Sequence, residues 1–307
     1  MLSSCKSIEK TYLNSPLKDN NNNKFSSPGI KAKGIKYCEI VPYNVKDGVS
    51  VKKKDSYRIY FDMGGRYFKE EKYHMGHLVE YTAYYFDNVG NLKQAIKYLL
   101  FPERTVSAKA EFSYDRNNNV TLYHISEGED YIKKFKTYDK DGNVLTQKIE
   151  RRLTDEKTLK VRKRNSTRRY QYVKDDSNRV LEKLVYDGKT DRFKGKIVND
   201  WKGQKISSSA TYSASGKLRR MTLYEYDNSG KTTKEVILGP ESEKEDEIEL
   251  IYDKMGNLIQ RNSVLDNFEK LGTKSKFNKQ GNIIREELYD PRNNKIVQVW
   301  KYTYFKE

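Results

Sequence analysis

Residues able to do chemistry are few in this chain and unevenly placed. Its 307 residues include three histidines and two cysteines, so a nucleophile–base–carboxylate triad or a thiolate zinc site has little material. His74 and His77 stand three apart in His-Met-Gly-His, and His124 is alone. On a continuous strand that spacing places the pair on opposite faces, and two imidazoles without carboxylates do not hold a metal. Cys38 has no partner except Cys5. Carboxylates number 43, which keeps a glycan-active enzyme with two acids at catalytic separation open as an alternative. No catalytic set, metal site or cofactor is read from these residues.

The strongest candidate for binding is basic. Lys160, Arg162, Lys163, Arg164, Arg168 and Arg169 occupy a ten-residue window with no acid in it, and Tyr170 and Tyr172 follow. On a strand Arg162, Arg164, Arg168, Tyr170 and Tyr172 share parity and line one face. Guanidinium forks beside aromatic rings suit phosphate, sulfate or carboxylate groups. The partners this implies are a protein surface, an acidic polysaccharide or lipopolysaccharide, with nucleic acid ranked behind them. The plainer reading is a solvated hairpin whose charges discourage edge pairing. Glu241 to Glu249 forms an opposite, acidic pole. It lacks the spaced ligands of a calcium loop and reads as a solvated hairpin tip.

The elements that must position these residues announce themselves by repetition. Eleven times, from Asp62 to Asp290, the chain returns to an aromatic, an Asp, two variable residues, a Gly, a small polar or basic residue and an apolar one. Clear copies are Phe86-Asp87-Asn88-Val89-Gly90-Asn91-Leu92, Tyr138 to Val144 and Tyr252 to Leu258, and those at Asp227 and Asn278 follow the form. Weaker ones start at Asp62, Asp115, Asp175, Asp200, Ser213 and Asp290. Most copies lie about 25 residues apart, a strand out and a strand back, and some lie at half that spacing. Asp accepts a backbone hydrogen bond two residues on, and Gly supplies the positive φ that closes the turn. Asn118, Asn178 and Asn293 stand where Gly stands elsewhere, Asn being the residue that next best tolerates positive φ. The texture between copies is that of strands, including Asn91 to Phe101, where Leu92, Gln94, Ile96 and Tyr98 alternate. The predicted fold class is all-β: an antiparallel meander of β-hairpin repeats over residues 35–307, forming one long twisted or curled sheet.

Tyr-Asp-x-x-Gly-Asn-Leu followed by a strand resembles the YD repeat of RHS-type proteins and is similar to MORN-like hairpin repeats, over about Tyr57 to Glu307. The resemblance implies architecture rather than activity. Residues 1–34, with Asn20 to Asn23 and Ser26-Ser27-Pro28-Gly29, are too polar to fold and read as a tether. Ahead of it, Leu2-Ser3-Ser4-Cys5 resembles a bacterial lipobox, which implies lipidation at Cys5 and, with Lys6 next, an outer-membrane address. An anchor of that kind touches the membrane without a spanning helix. Three readings follow: a non-enzymatic envelope lipoprotein that binds a polymer or protein, an intracellular antitoxin or immunity-type binder, and a glycan-active enzyme. The first accounts for the most residues.

Overall fold

The computed structural model describes residues 34–100, 103–155, 158, 160–263, 271–290 and 293–306. Most of the predicted tether and Cys5 lie outside them. In the turn after Tyr138, the Asp139 carboxylate accepts the amides of Asp141 at 2.9 Å and Asn143 at 2.8 Å. Gly142 adopts φ +81° and donates its amide to the Asp139 carbonyl. The residue after Gly completes the lock, since Asn143 Nδ2 donates to the second Asp139 oxygen at 2.8 Å. Asn91, Asn119 and Asn257 repeat that contact. Each lock leaves one bulged residue: Phe86 opposes Leu92 while Tyr85 opposes Gln94, so Lys93 is extra. Leu92 therefore faces inward and Gln94, Ile96 and Tyr98 outward, which corrects the simple alternation expected there.

Two copies depart from the pattern. Asp200 lies inside a strand opposite Ser208, its reversal being made at Gly203, and Asp290 sits in a strand opposite Lys295. The positive φ near Asn293 belongs to Asn294, at 56°. A turn outside the repeat begins with Gly: the Gly239 amide donates to Glu243 O at 2.8 Å.

The strands are β1 (Ile35–Lys46), β2 (Val49–Lys52), β3 (Asp55–Phe61), β4 (Tyr67–His74), β5 (His77–Phe86), β6 (Leu92–Leu99) and β7 (Thr105–Tyr114). There follow β8 (Val120–Glu127), β9 (Asp130–Tyr138), β10 (Val144–Thr154), β11 (Val161–Lys174), β12 (Val180–Asp187), β13 (Phe193–Lys202) and β14 (Lys205–Ser213). The last are β15 (Leu218–Tyr226), β16 (Thr232–Leu238), β17 (Lys244–Tyr252), β18 (Leu258–Ser263), β19 (Gly272–Phe277), β20 (Ile283–Asp290) and β21 (Lys295–Lys306). No helix occurs among the described residues.

From β3 to β21 every strand pairs antiparallel with the next. β1 then pairs with β21 along one edge and with β3 along the other. The expected twisted or curled sheet is therefore corrected to a closed barrel of 20 strands, with β2 hydrogen-bonded to the end of β1 outside the ring. Strand twist accumulates until the first and last strands can meet, and closure satisfies the backbone groups that two free edges would expose.

The register carries one inner face round the ring. A single row of opposed residues runs Tyr84, Ala95, Ala110, Ile125, Ile132, Arg151, Arg164 across seven strands. Its first five members are buried, Ala110 and Ile125 completely. Arg151 is half-buried and Arg164 exposed. The packed core occupies the arc β1 and β3 to β8, with Cys38, Ile59, Tyr67 and Phe112 in it. Beyond β9 buried inward side chains are sparser, Tyr170, Ile237 and Ile248 among them.

The outer face is charged all round. Arg58–Glu39 at 3.3 Å, Lys69–Glu71 at 2.6 Å, Lys109–Glu111 at 2.7 Å and Lys148–Glu150 at 2.6 Å stand on one part of it. Lys196–Glu182 at 2.6 Å, Lys234–Glu247 at 3.0 Å and Arg285–Glu287 at 2.6 Å complete the circuit. Singly such pairs add little stability. Together they occupy positions at mid-strand where a lipid-facing barrel carries an apolar band.

Two outcomes test this account. Gly195 in β13 has φ +144°, and a Cβ there would lie 2.2 Å from the Tyr212 carbonyl oxygen. Gly195→Ala is expected to cost about 3 kcal/mol in denaturant unfolding, against about 1 kcal/mol for Gly142→Ala, where a Cβ would meet Asn119 Oδ1 at an ordinary 3.6 Å. The turn carboxyls of Asp115, Asp175 and Asp227 are held below the usual range, chiefly by hydrogen bonds from Asn119, Arg179 and Ser229. A lowered folded pKa gives stability that is whole above about pH 4 and lost as pH falls through the depressed values. Circular dichroism during acid titration is expected to show the barrel melting below about pH 4 and not above it.

Candidate anion site on the inner wall

Strand β11 brings the basic window into the barrel. Arg162, Arg164, Arg168, Tyr170 and Tyr172 face inward together, as parity predicts, opposite Leu153, Arg151, Gln147, Val185 and Lys183. Lys163 and Arg169 point outward. Arg169 is taken by Asp191 at 2.8 Å, with its guanidinium over the Tyr186 ring at 4.5 Å. Lys160 precedes the strand and is exposed. Arg162 reaches Asp155 at 3.6 Å near the rim.

Neighbouring strands add cations that the window does not contain. Lys134, Lys136 and Arg151 join the inner face through the β9–β10 and β10–β11 registers, and Lys183 through β11–β12. These partners were countable from the turns: with Tyr138 opposite Val144 and one bulged residue, Lys136 falls opposite Gln147. On this arc the inner wall holds three acids, all near its ends and all engaged; Asp155, just past β10, pairs with Arg162, and Asp187 stands directly opposite Arg168. Asp130 accepts from Thr154 Oγ1 at 2.8 Å, and Asp187 from the Lys189 and Thr190 amides. Among the described residues none pairs with Arg151, Arg164 or Arg168. The Arg151 Nε is buried without an acceptor.

Crowded like charge shows in the lysines. Burial, then Lys134, lowers the Lys136 ammonium below the usual lysine range. Burial, then Lys136 and Arg168, does the same to Lys183. The tyrosines are not free platforms. Tyr170 is buried and donates its hydroxyl to Gln147 Oε1 at 2.9 Å, and Tyr172 donates to Val144 O at 2.9 Å. Lys183 Nζ lies 4.4 Å from the Tyr170 ring centre and 5.7 Å from that of Tyr172. Elsewhere the inner wall is balanced: Lys97 pairs with Glu80 at 3.0 Å, and Tyr84 and Tyr302 donate to Glu70 and Glu286 at 3.0 Å. Burial raises both of those carboxyls.

The remaining candidates do not assemble. His74 and His77 face each other across a two-residue turn made by Met75 at φ 52° and Gly76 at φ 86°. They therefore share a face, contrary to the continuous-strand expectation, and His74 binds Asp55 at 2.6 Å. His124 contacts Glu111 at 3.2 Å on the outer wall. No metal-holding group of side chains occurs among the described residues. Cys38 is buried in the core, and burial pushes its thiol up to about 12, which makes it unreactive at neutral pH. The Glu241–Glu249 pole spans the β16–β17 turn and the start of β17, with Glu247 held by Lys234 and Lys244.

No family model matches the chain, and no curated protein does. Among solved structures, a porin-like protein from Bacteroides uniformis is 10% identical, with 89% of this chain and 98% of that one covered at a TM-score of 0.32. A porin-like protein from Bacteroides vulgatus is 11% identical, covering 86% and 97% at a TM-score of 0.32. TcdB2-TccC3 without its hypervariable C-terminal region is 11% identical over 84% of this chain and 18% of that one, at a TM-score of 0.25. Likeness this slight assigns no function, which has to be argued from the chain's own inner wall.

That wall gives a direct check. Nitrogen NMR titration is expected to show Lys136 and Lys183 losing their protons below the usual lysine range. Lys234, whose ammonium Glu247 holds above that range, titrates later. Lys136→Met is expected to move Lys183 back up, and an unmoved Lys183 would show that the two do not share a space.

Proposed function

We propose that this chain is a non-enzymatic binding protein of the bacterial envelope, a barrel whose outer wall faces water and whose inner wall holds an acidic ligand. The observation that carries the reading is the β9–β12 inner wall, where Arg151, Arg164, Arg168, Lys136 and Lys183 meet no free carboxylate. These five cations in one concave arc repel one another unless an anion joins them, so the arrangement makes sense with a ligand and costs stability without one. Acidic polysaccharide or lipopolysaccharide supplies such groups in the envelope. The charged outer wall supports attachment through a lipid rather than insertion, and Cys5 in its lipobox-like setting is the residue for it.

The experiment has two arms. The full chain is expected to bind immobilised heparin at about 0.05 M salt and to elute well before 1 M, because screening weakens exposed charge pairs. Arg168→Ser combined with Lys183→Met is expected to shift elution to lower salt, while Lys163→Ser on the outer wall leaves it nearly unchanged. Cells carrying the whole gene with its upstream sequence are expected to incorporate a palmitate analogue at Cys5, and Cys5→Ser to abolish it. A chain that ignores heparin, or a wall variant that elutes with the parent, would remove the ligand half. An unlabelled cytosolic product would remove the location half.

A further inference from the structure

Arg151 and Arg164 are directly opposed on the inner wall. Facing cross-strand residues have Cβ atoms about 5 Å apart, and like charges so placed destabilise a sheet. The Arg151 Nε is buried with no acceptor, and no described residue answers either guanidinium. Two forks within that distance match an oxyanion set between them, each offering paired N–H donors. We infer that Arg151 and Arg164 form a clamp for one sulfate or carboxylate group of an acidic glycan, and that the chain of this glycan runs along β11. The inference rests on the reading of the barrel as a binder of acidic ligands and adds the place, the direction and the class.

The direction follows from the strand. Arg162, Arg164 and Arg168 leave the inner face of β11 at steps of two and four residues, or about 7 Å and 13 Å along the axis. A small anion fills the clamp alone. An extended polyanion reaches all three arginines and then the Lys183 ammonium beside Tyr170 and Tyr172. The class follows from the tyrosines. Single-stranded nucleic acid binds by stacking bases on open aromatic faces. Here Tyr170 is buried, Lys183 lies over both rings, and both hydroxyls are committed to the wall. Charge is on offer and stacking surface is not, which favours a sulfated or carboxylated sugar chain over an oligonucleotide.

The test uses the full chain, Arg164→Ser, Arg151→Gln and the outer-wall variant Lys163→Ser. Binding of a heparin-derived disaccharide, the matching octasaccharide and an oligothymidylate is measured by calorimetry, and thermal unfolding is followed without ligand. The octasaccharide is expected to bind at least about tenfold more tightly than the disaccharide, and either clamp variant to lose about tenfold for the octasaccharide, the size of one charge-assisted contact. Either clamp variant is also expected to unfold at the same or a higher temperature than the parent, since it relieves a like-charge pair. Lys163→Ser changes neither. A clamp variant that loses binding and thermal stability together overturns the inference, because the arginines are then structural. Unchanged octasaccharide binding overturns it as well, with the broader reading intact. Equal affinity for the two sugar lengths removes the β11 track, and an oligothymidylate that binds as tightly and depends equally on Arg151 removes the glycan. If no sugar of either length binds the parent, the broader reading has failed and the clamp with it.

Discussion

One carboxylate accepting two amides of its own turn governs the arrangement of this protein. In the turns at Asp87, Asp115, Asp139 and Asp175, one oxygen takes the amides two and four residues on. That contact fixes which residue opposes which across the hairpin and leaves one bulged residue in the outgoing strand. A bulge changes which side chains point inward. Because each of these Asp turns makes the same correction, and the β8–β9 and β10–β11 pairings make none, the inner face stays the inner face from β3 round to β1. A slip of one residue in a single hairpin would send its buried row to solvent and its charged row into the core.

Closure adds the second condition. A sheet of this length with free edges presents two unpaired rows of amides and carbonyls. β1 removes both by pairing with β21 along Ile35 to Asn44 and with β3 along Tyr37 to Ile40. The seam is also packed with apolar side chains, with Cys38 and Ile40 on the inside and Tyr37 stacked on Phe305 at 4.4 Å on the outside. Strands so far apart in sequence meet at an entropic cost that grows slowly with loop length but is set by no local signal.

That difference decides what could be read in advance. The turns were legible because Asp, Gly and Asn act over five residues. Asn143, placed to bind Asp139 from the far side of the glycine, shows that even the fifth residue had a reason. The inward set Arg162, Arg164, Arg168, Tyr170 and Tyr172 was legible because β11 has no bulge before Val173. Lys163 and Arg169 were grouped with them by composition, and alternation separates them. His74 and His77 misled because a two-residue turn looks like any other stretch of chain until its φ angles are known. Closure was hidden, since nothing in Ile35 to Lys46 names two partners. Lys136, Arg151 and Lys183 were hidden for a lesser reason, being reachable only by counting registers from turns already identified.

The ring divides its labour by arc. Along the row from Tyr84 to Arg164, five buried residues give way within two strands to an unpaired arginine in water. Apolar burial supplies most folding free energy, and here it is concentrated in β1 and β3 to β8. The β9–β12 arc contributes little of it and tolerates opposed guanidiniums that a packed wall could not. It is held in place instead by backbone pairing on both sides and by the turn carboxylates at Asp139 and Asp175. A site built this way can keep its charges poised and unneutralised, because the strain falls on a part of the barrel whose shape is set by its neighbours. Concentrating the packed core in β1 and β3 to β8 is therefore what permits opposed guanidiniums on the β9–β12 inner wall.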